Sequence, residues 1–121
     1  MPDNQHFITL CTRTLSRYQV DTPLKPRILG STAYHLAAVA NGSTLASVES
    51  TPKLWDIAAA LLILTEANGC YQPLNDSPTI FPLVANANSG SQDYERTSFP
   101  LLAAANQSVM DNLLKTITRR K

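Results

Sequence analysis

The spacing of apolar residues changes several times along the chain, and each change predicts an element. Phe7 to Cys11 reads FITLC, a short β-rich run that predicts a strand. Thr12 to Tyr18 carries Arg13 and Arg17 four residues apart, which fits a short helix or a turn. Pro23 and Pro26 favour an extended connection from Val20 to Pro26, and Arg27 to Leu29 predicts a second strand. The Gly30-Ser31-Thr32 turn ends it. From Thr32 to Ala40 the small residues Ala33, Leu36, Ala37 and Ala40 form a helical stripe that allows close packing. Ser31 suits the N-cap of that helix, and Asn41-Gly42 is its stop.

Thr44 to Glu49 alternates as a strand does and ends on a carboxylate. Thr51 can cap the next helix, with Pro52 at its first position. Leu54 to Ala67 is apolar nearly all round, through Ile57, Ala58, Leu61, Leu62 and Leu64, which predicts a helix buried between layers. Its acids are Asp56 in the first turn and Glu66 in the last, before an Asn68-Gly69 stop. Cys70 to Pro100 is rich in Pro, Asn and Ser and reads as mostly irregular, with strands near Tyr71 and Ile80. Leu101 to Ala105 predicts a last strand. Asn106 or Ser108 caps a final helix marked by Val109, Met110, Leu113, Leu114 and Ile117, and Arg119, Arg120 and Lys121 suit its negative end. Strands alternating with helices predict an α/β layered sheet-and-helix domain. Its sheet is expected to contain Arg27–Leu29, Thr44–Glu49 and Leu101–Ala105, with the Leu54–Ala67 helix packed against it.

With 121 residues, one modest core is expected, so residues 1–121 read as a single domain with residues 1–5 frayed. A net charge of +1 gives no footprint for nucleic acid or an anionic membrane. Cys11 and Cys70 form no CxxC pair, so neither zinc nor a disulfide framework is indicated. No apolar run approaches the roughly 20 residues that span a bilayer, and MPDNQHF lacks the blocks of a signal peptide. A cytoplasmic protein is expected.

The candidate chemistry sits where strands pass into helices. Asp56 in a helical first turn complements the helix dipole, worth about 0.3–1 kcal/mol; the sharper reading is a ligand for a hard cation such as Mg²⁺. Glu49, at the end of its strand, reads either as a solvated acid or as an acceptor facing a polyol in a shared crevice. Gly30, Ser31 and Thr32 lead into a helix N-terminus, where backbone N–H groups can meet an anion or a hydroxyl. His6 and His35 read as structural, and Tyr34 and Trp55 as packing residues.

GSTAYHLAAVANG followed by VESTPKLWDIAAALLILTEANG resembles the C-terminal half of the inositol monophosphatase family. The family's Trp-Asp-x-Ala core stands as Trp55-Asp56-Ile57-Ala58, and its Glu-Ala-Gly-Gly helix end as Glu66-Ala67-Asn68-Gly69, with Asn68 replacing the first glycine. The Gly-Ser/Thr-Ala-type turn is matched by Gly30-Ser31-Thr32-Ala33, and the spacing from Gly30 to Glu49 and Asp56 agrees with the family pattern. The phrasing VESTPKLWDIAAA and the FPLLAAAN tail are most similar to the bacterial, cyanobacterial branch. The similarity covers nearly the whole chain, from about Phe7 to the end.

The resemblance implies the C-terminal portion of a Mg²⁺-dependent phosphomonoesterase that hydrolyses inositol or sugar phosphates with metal-activated water. By that resemblance Asp56 is a metal ligand, Glu49 meets a substrate hydroxyl, and Gly30, Ser31 and Thr32 line the substrate pocket. Family members are roughly twice this length, and their N-terminal half carries a Glu-Glu pair and an Asp-Pro-Ile/Leu-Asp-Gly-Thr motif. Neither occurs in this sequence. The chain is therefore expected to be inactive without an N-terminal half, and it carries no complete set of catalytic residues. The partners in view are that half, supplied by a second chain, or another copy in a homo-oligomer. The reading from another class is a non-catalytic remnant or interaction domain that retains the fold.

Overall fold

The computed structural model describes residues 5–74 and 98–120. Among the described residues seven strands and four helices follow one another: β1 (Phe7–Leu10), α1 (Thr12–Arg17), β2 (Tyr18–Val20), β3 (Lys25–Arg27), α2 (Thr32–Ala40) and β4 (Ala46–Glu49) come first. Then come α3 (Leu54–Glu66), β5 (Cys70–Pro73), β6 (Leu101–Ala104), α4 (Gln107–Leu114) and β7 (Ile117–Arg119). Five strands form one mixed sheet in the order β3-β1-β4-β6-β5, and β2 with β7 forms a separate antiparallel ribbon. β3, β1 and β4 run parallel, whereas β6 runs antiparallel to both β4 and β5.

The period of two along the central strands sorts side chains onto two faces. Leu101 and Ala103 of β6 pack with Leu36 and Val39 of α2 and with Ile57, Ala60, Leu61 and Leu64 of α3. Leu102 and Ala104 point the other way, into a core with Ile8, Leu10, Tyr18, Ala46, Val48 and the α4 residues Val109, Met110 and Leu113. The layers are thus helices α2 and α3, the five-stranded sheet, then α4 with the small ribbon. All four residues of β4 and all four of β6 are buried, as expected for strands covered on both faces. On β4 that pattern has a consequence. Ala46 and Val48 face α4, so the polar Ser47 and Glu49 are on the α2 side.

The expected strand at Arg27–Leu29 sits two residues earlier, at Lys25–Arg27. Pro26 lies within it because β3 is the sheet edge, where a missing N–H breaks no central ladder. Tyr18–Val20, where a short helix or turn was expected to give way to a connection, and Ile117–Arg119, read as a helix end, pair as strands instead. Helix α3 begins after Lys53 rather than at Pro52. Asp56 explains this, since its carboxylate accepts the Lys53 backbone N–H at 2.8 Å and so sets the helix start. Burial on α3 is one-sided: Ile57, Leu61 and Leu64 are fully buried, but Leu62 and Ile63 are exposed. Trp55 and Tyr34, expected to pack, are also exposed.

The stop at Asn68-Gly69 is a Schellman turn. Gly69 N–H returns to Leu64 O at 2.9 Å and Asn68 N–H to Thr65 O at 3.0 Å, with Asn68 left-handed at φ 67°. Ser31 caps α2 and Asn106 caps α4, each accepting a backbone N–H three residues on. No helix among the described residues is long and apolar enough to cross a membrane. The expected strand near Ile80 and the frayed Met1 to Asn4 lie outside the described residues.

Candidate functional site

Parallel strands bring their C-terminal ends to one edge of a sheet, where α/β folds commonly gather ligand groups. Thr9 of β1 pairs with Arg27 of β3 and with Ser47 of β4, so the three strands are in register. Beyond that level lie Cys11 after β1, Ile28 to Gly30 after β3, and Glu49-Ser50 at the end of β4. The sequence-predicted Gly30 turn and Glu49 therefore occupy the same end of the sheet.

Glu49 is fully buried. Nδ1 of His35 lies 3.2 and 3.3 Å from its two carboxylate oxygens, and the Ser47 hydroxyl donates to Oε2 at 2.9 Å. On the far side of the imidazole, the Leu29 backbone N–H donates to Nε2 at 3.0 Å. Glu49 is accordingly not the solvated strand-end acid that its position suggests, and it does not open onto a crevice in this arrangement. From sequence alone His35 reads as structural. It is buried, but it joins two of the candidate site groups. A histidine on the same helical face as Leu36 and Val39, within a turn of a cap, gives little sequence signal of such a partner.

Gly30 adopts φ +85°, a left-handed backbone that favours glycine, and nothing lies within 4 Å of where its Cβ would be. The constraint there is conformational, set by the reversal from β3 into α2. Ser31 Oγ accepts from Tyr34 N–H at 3.3 Å and is thereby committed to the cap. Thr32 opens the helix itself.

Cys11, Thr14 and Ser50 adjoin Glu49, a group that sequence reading did not assemble. Cys11 Sγ is 3.0 Å from Thr14 Oγ1 and 3.5 Å from Ser50 Oγ, and Thr14 Oγ1 donates to Val48 O at 2.8 Å. Burial raises the Cys11 thiol pKa, but its hydrogen bonding with Thr14 and with the backbone and hydroxyl of Ser50 outweighs it, so the net direction is down.

Asp56 lies in the first turn of α3, partly buried, with Oδ2 engaged by the Lys53 N–H. Lys53 has only side-chain donors and cannot return the bond as a full capping box would. The segment between Glu49 and α3 is held to the residues just before β6 by Phe99 N–H to Pro52 O at 3.0 Å and by Lys53 Nζ to Ser98 Oγ at 3.1 Å. A carboxylate oxygen suits Mg²⁺. Among the described residues, however, no three His, Cys, Asp or Glu side chains cluster to hold a metal ion. These residues alone do not fit a complete metal site. Two surface clefts of about 430 and 380 Å³ lie elsewhere; neither is lined by Gly30, Glu49 or Asp56, although Leu29 and Tyr34 border the smaller.

The profile of the inositol monophosphatase family matches residues 3–118. Among solved structures, an inositol monophosphatase from Anabaena (Nostoc) is 20% identical with a TM-score of 0.63, over 96% of this chain and 44% of that one. A hypothetical protein from Pyrococcus horikoshii with similarities to inositol-1 monophosphatase is 22% identical with a TM-score of 0.68, over 93% of this chain and 42% of that one. An inositol monophosphatase/NADP phosphatase complexed with Mg²⁺ and phosphate is 18% identical with a TM-score of 0.62, over 96% of this chain and 40% of that one. These likenesses show the fold, and the chain spans less than half the length of each of these structures. No curated protein matches the sequence at a significant level.

Proposed function

The chain belongs to the inositol monophosphatase family, and on that premise we propose that it forms the C-terminal portion of a Mg²⁺-dependent phosphomonoesterase acting on inositol or sugar phosphates. The observation that carries the reading is the family match over nearly the full chain, with the Gly30 turn and Glu49 tied together at one end of the sheet. The remaining half of the active site comes from an N-terminal half, in the same polypeptide or in a partner chain. Residues 1–121 make up one domain of that assembly, of the bacterial, cyanobacterial type.

In this proposal Asp56 contributes one metal ligand through the carboxylate oxygen not used for the Lys53 cap. The metal, when bound, supplies activated water and neutralises charge on the phosphoryl group. The chain's own residues bind and orient the substrate. The first four N–H groups of a helix have no intrahelical partner; Ser31 satisfies that of Tyr34, which leaves those of Thr32 and Ala33 for a substrate oxygen. Gly30 holds that turn in its left-handed bend. Glu49, buried in this arrangement, accepts a substrate hydroxyl through a lone pair of Oε1 that His35 does not occupy once substrate binding exposes it.

Hydrolysis of inositol-1-phosphate with magnesium tests the reading, first with this chain and then with a family N-terminal half added. Silence alone and turnover in the mixture are expected. Robust turnover by the chain alone would remove the half-site premise. A mixture that never turns over, though the two halves associate, would favour an interaction domain that retains the fold. The lack of a three-ligand cluster among the described residues is the observation on that side.

A further inference from the structure

We propose that His35 is a positioning residue that ties the Leu29–Gly30 turn to the Glu49 carboxylate, so that the two substrate-contacting groups move as one unit. Its functional consequence rests on the phosphatase reading above, whereas the tie itself can be tested without it.

The tie follows from donors and acceptors. A backbone N–H can only donate, so the 3.0 Å contact from Leu29 N requires a lone pair on His35 Nε2. The ring proton is then on Nδ1, the nitrogen that faces both Glu49 oxygens at 3.2 and 3.3 Å. The opposite tautomer would set the Leu29 N–H against Nε2–H and an imidazole lone pair against a carboxylate. A doubly protonated ring would satisfy Glu49 but leave the Leu29 N–H facing another donor. One tautomer satisfies every partner. Ser47 donates to Glu49 from the other side at 2.9 Å, so the carboxylate is clamped between a helix side chain and its own strand.

The surroundings make the arrangement stiff. His35 is 1% exposed and Glu49 is not exposed at all, so water does not compete for these bonds. His35 rides on α2, whose first turn Ser31 caps directly after Gly30. Any shift of the turn relative to β4 must therefore break the Leu29 bond, turn the imidazole or drag Glu49. Strand β1 separates β3 from β4 in the sheet, and His35 joins Leu29, just after β3, to Glu49 at the end of β4.

The experiment uses histidine labelled with ¹⁵N in the purified chain, with long-range ¹H–¹⁵N correlation to read the tautomer and amide exchange to read the Leu29 N–H. Wild type should show a protonated Nδ1, a bare Nε2 and a slowly exchanging Leu29 amide. His35→Asn keeps a donor at the Nδ position but falls short of Leu29. It should free the Leu29 amide, leave Glu49 hydrogen-bonded, and retain part of the turnover that His35→Leu loses in the completed enzyme. The loss should appear mainly as a KM raised roughly tenfold or more, as for other residues that orient a ligand group. A proton on Nε2, a doubly protonated ring, or a Leu29 amide as well protected in the variants as in wild type would overturn the tie. No turnover even with wild type would sink the phosphatase reading, and the tautomer and exchange results would still decide the inference. Because wild type alone gives the tautomer, an unfolded His35→Leu leaves the proposal open to refutation.

Discussion

One carboxylate oxygen of Asp56 lies 2.8 Å from the backbone nitrogen of Lys53, closing the first turn of α3 with the residue proposed above as a metal ligand. The two roles need not compete, because a carboxylate has two oxygens and about four acceptor sites. They do separate under mutation. Asp56→Asn keeps an acceptor for the cap and should change stability by less than about 1 kcal/mol, while turnover of the completed enzyme collapses. Asp56→Ala should lose both, with a stability cost of about 0.5–2 kcal/mol. Chemical denaturation beside the inositol-1-phosphate assay checks the split. If Asp56→Asn turned over as wild type does, Asp56 would have no part in the chemistry.

Gly69→Ala should destabilise the chain by about 1–3 kcal/mol, the usual cost of overpacking. A Cβ there would run into the buried Leu64 side chain and approach the Ala104 carbonyl oxygen to 3.1 Å. Asn68→Gly should act in the opposite direction, since position 68 has φ 67° and glycine takes that backbone without penalty. Urea midpoints of the two variants should fall on either side of wild type.

Helix α2, strand β4 and strand β6 were legible in the sequence because their signals were local: a Ser cap, an alternating TLASVE run, a short LLAAA block. Strands β2, β3 and β7 were decided by tertiary pairing instead. Pro26 argues against a strand until β3 proves to be an edge, and Ile117 continues the helical spacing of α4 but pairs with Val20. The site divides in the same way. Motif and spacing pointed to Asp56, Glu49 and the Gly30 turn, yet nothing in the one-dimensional pattern showed that Glu49 would be buried. That depends on Ser47 and Glu49 sharing the strand face that α2 covers.

Breaking the buried pair should be costly. Glu49→Leu removes the acceptor from both the His35 Nδ1–H and the Ser47 hydroxyl, and each buried donor left unsatisfied costs about 1–3 kcal/mol. A combined Glu49→Leu and His35→Leu variant should recover part of that loss, since one of the orphaned donors is gone as well. A double-mutant cycle on unfolding free energy measures the coupling. Strict additivity of the two single changes would contradict the pairing.

The two thiols should react in a definite order with pH. Cys11 is shifted down: burial opposes its thiolate, but its hydrogen bonding with Thr14 and Ser50 more than offsets that. Cys70 is shifted up by burial, with the charge of Asp111 adding to it. The thiolate is the nucleophile, and both residues are half-buried. Raising the pH should therefore alkylate Cys11 with iodoacetamide first, Cys70 only under more alkaline conditions. Peptide mass spectrometry across a pH series reads the order. Simultaneous labelling would mean that the hydrogen bonds at Cys11 do not hold in solution.

The outer face of α3 carries the final prediction. Trp55, Leu62 and Ile63 are 63%, 59% and 55% exposed, and the exposed Ala58 and Ala59 continue the same stripe. Contiguous apolar surface of this kind marks an interaction site or an aggregation hazard. The solved structures of this fold are more than twice as long as the part the chain matches, so the expected occupant is the N-terminal half. Leu62→Glu puts a charge on that stripe without touching the buried Ile57, Leu61 and Leu64. The isolated variant should keep its circular dichroism and melt near wild type, because an exposed substitution usually changes stability by less than about 0.5 kcal/mol. Turnover on adding the N-terminal half should fall at least about tenfold, as expected when a charge is buried unpaired at an interface. Trp55, the single tryptophan of the chain, provides an independent signal: its emission should shift to the blue when a tryptophan-free N-terminal half binds. Full turnover by Leu62→Glu with no shift of Trp55 would place the interface elsewhere. If Leu62→Glu melted well below wild type instead, the stripe would be part of the chain's own core, in conflict with the exposure of α3.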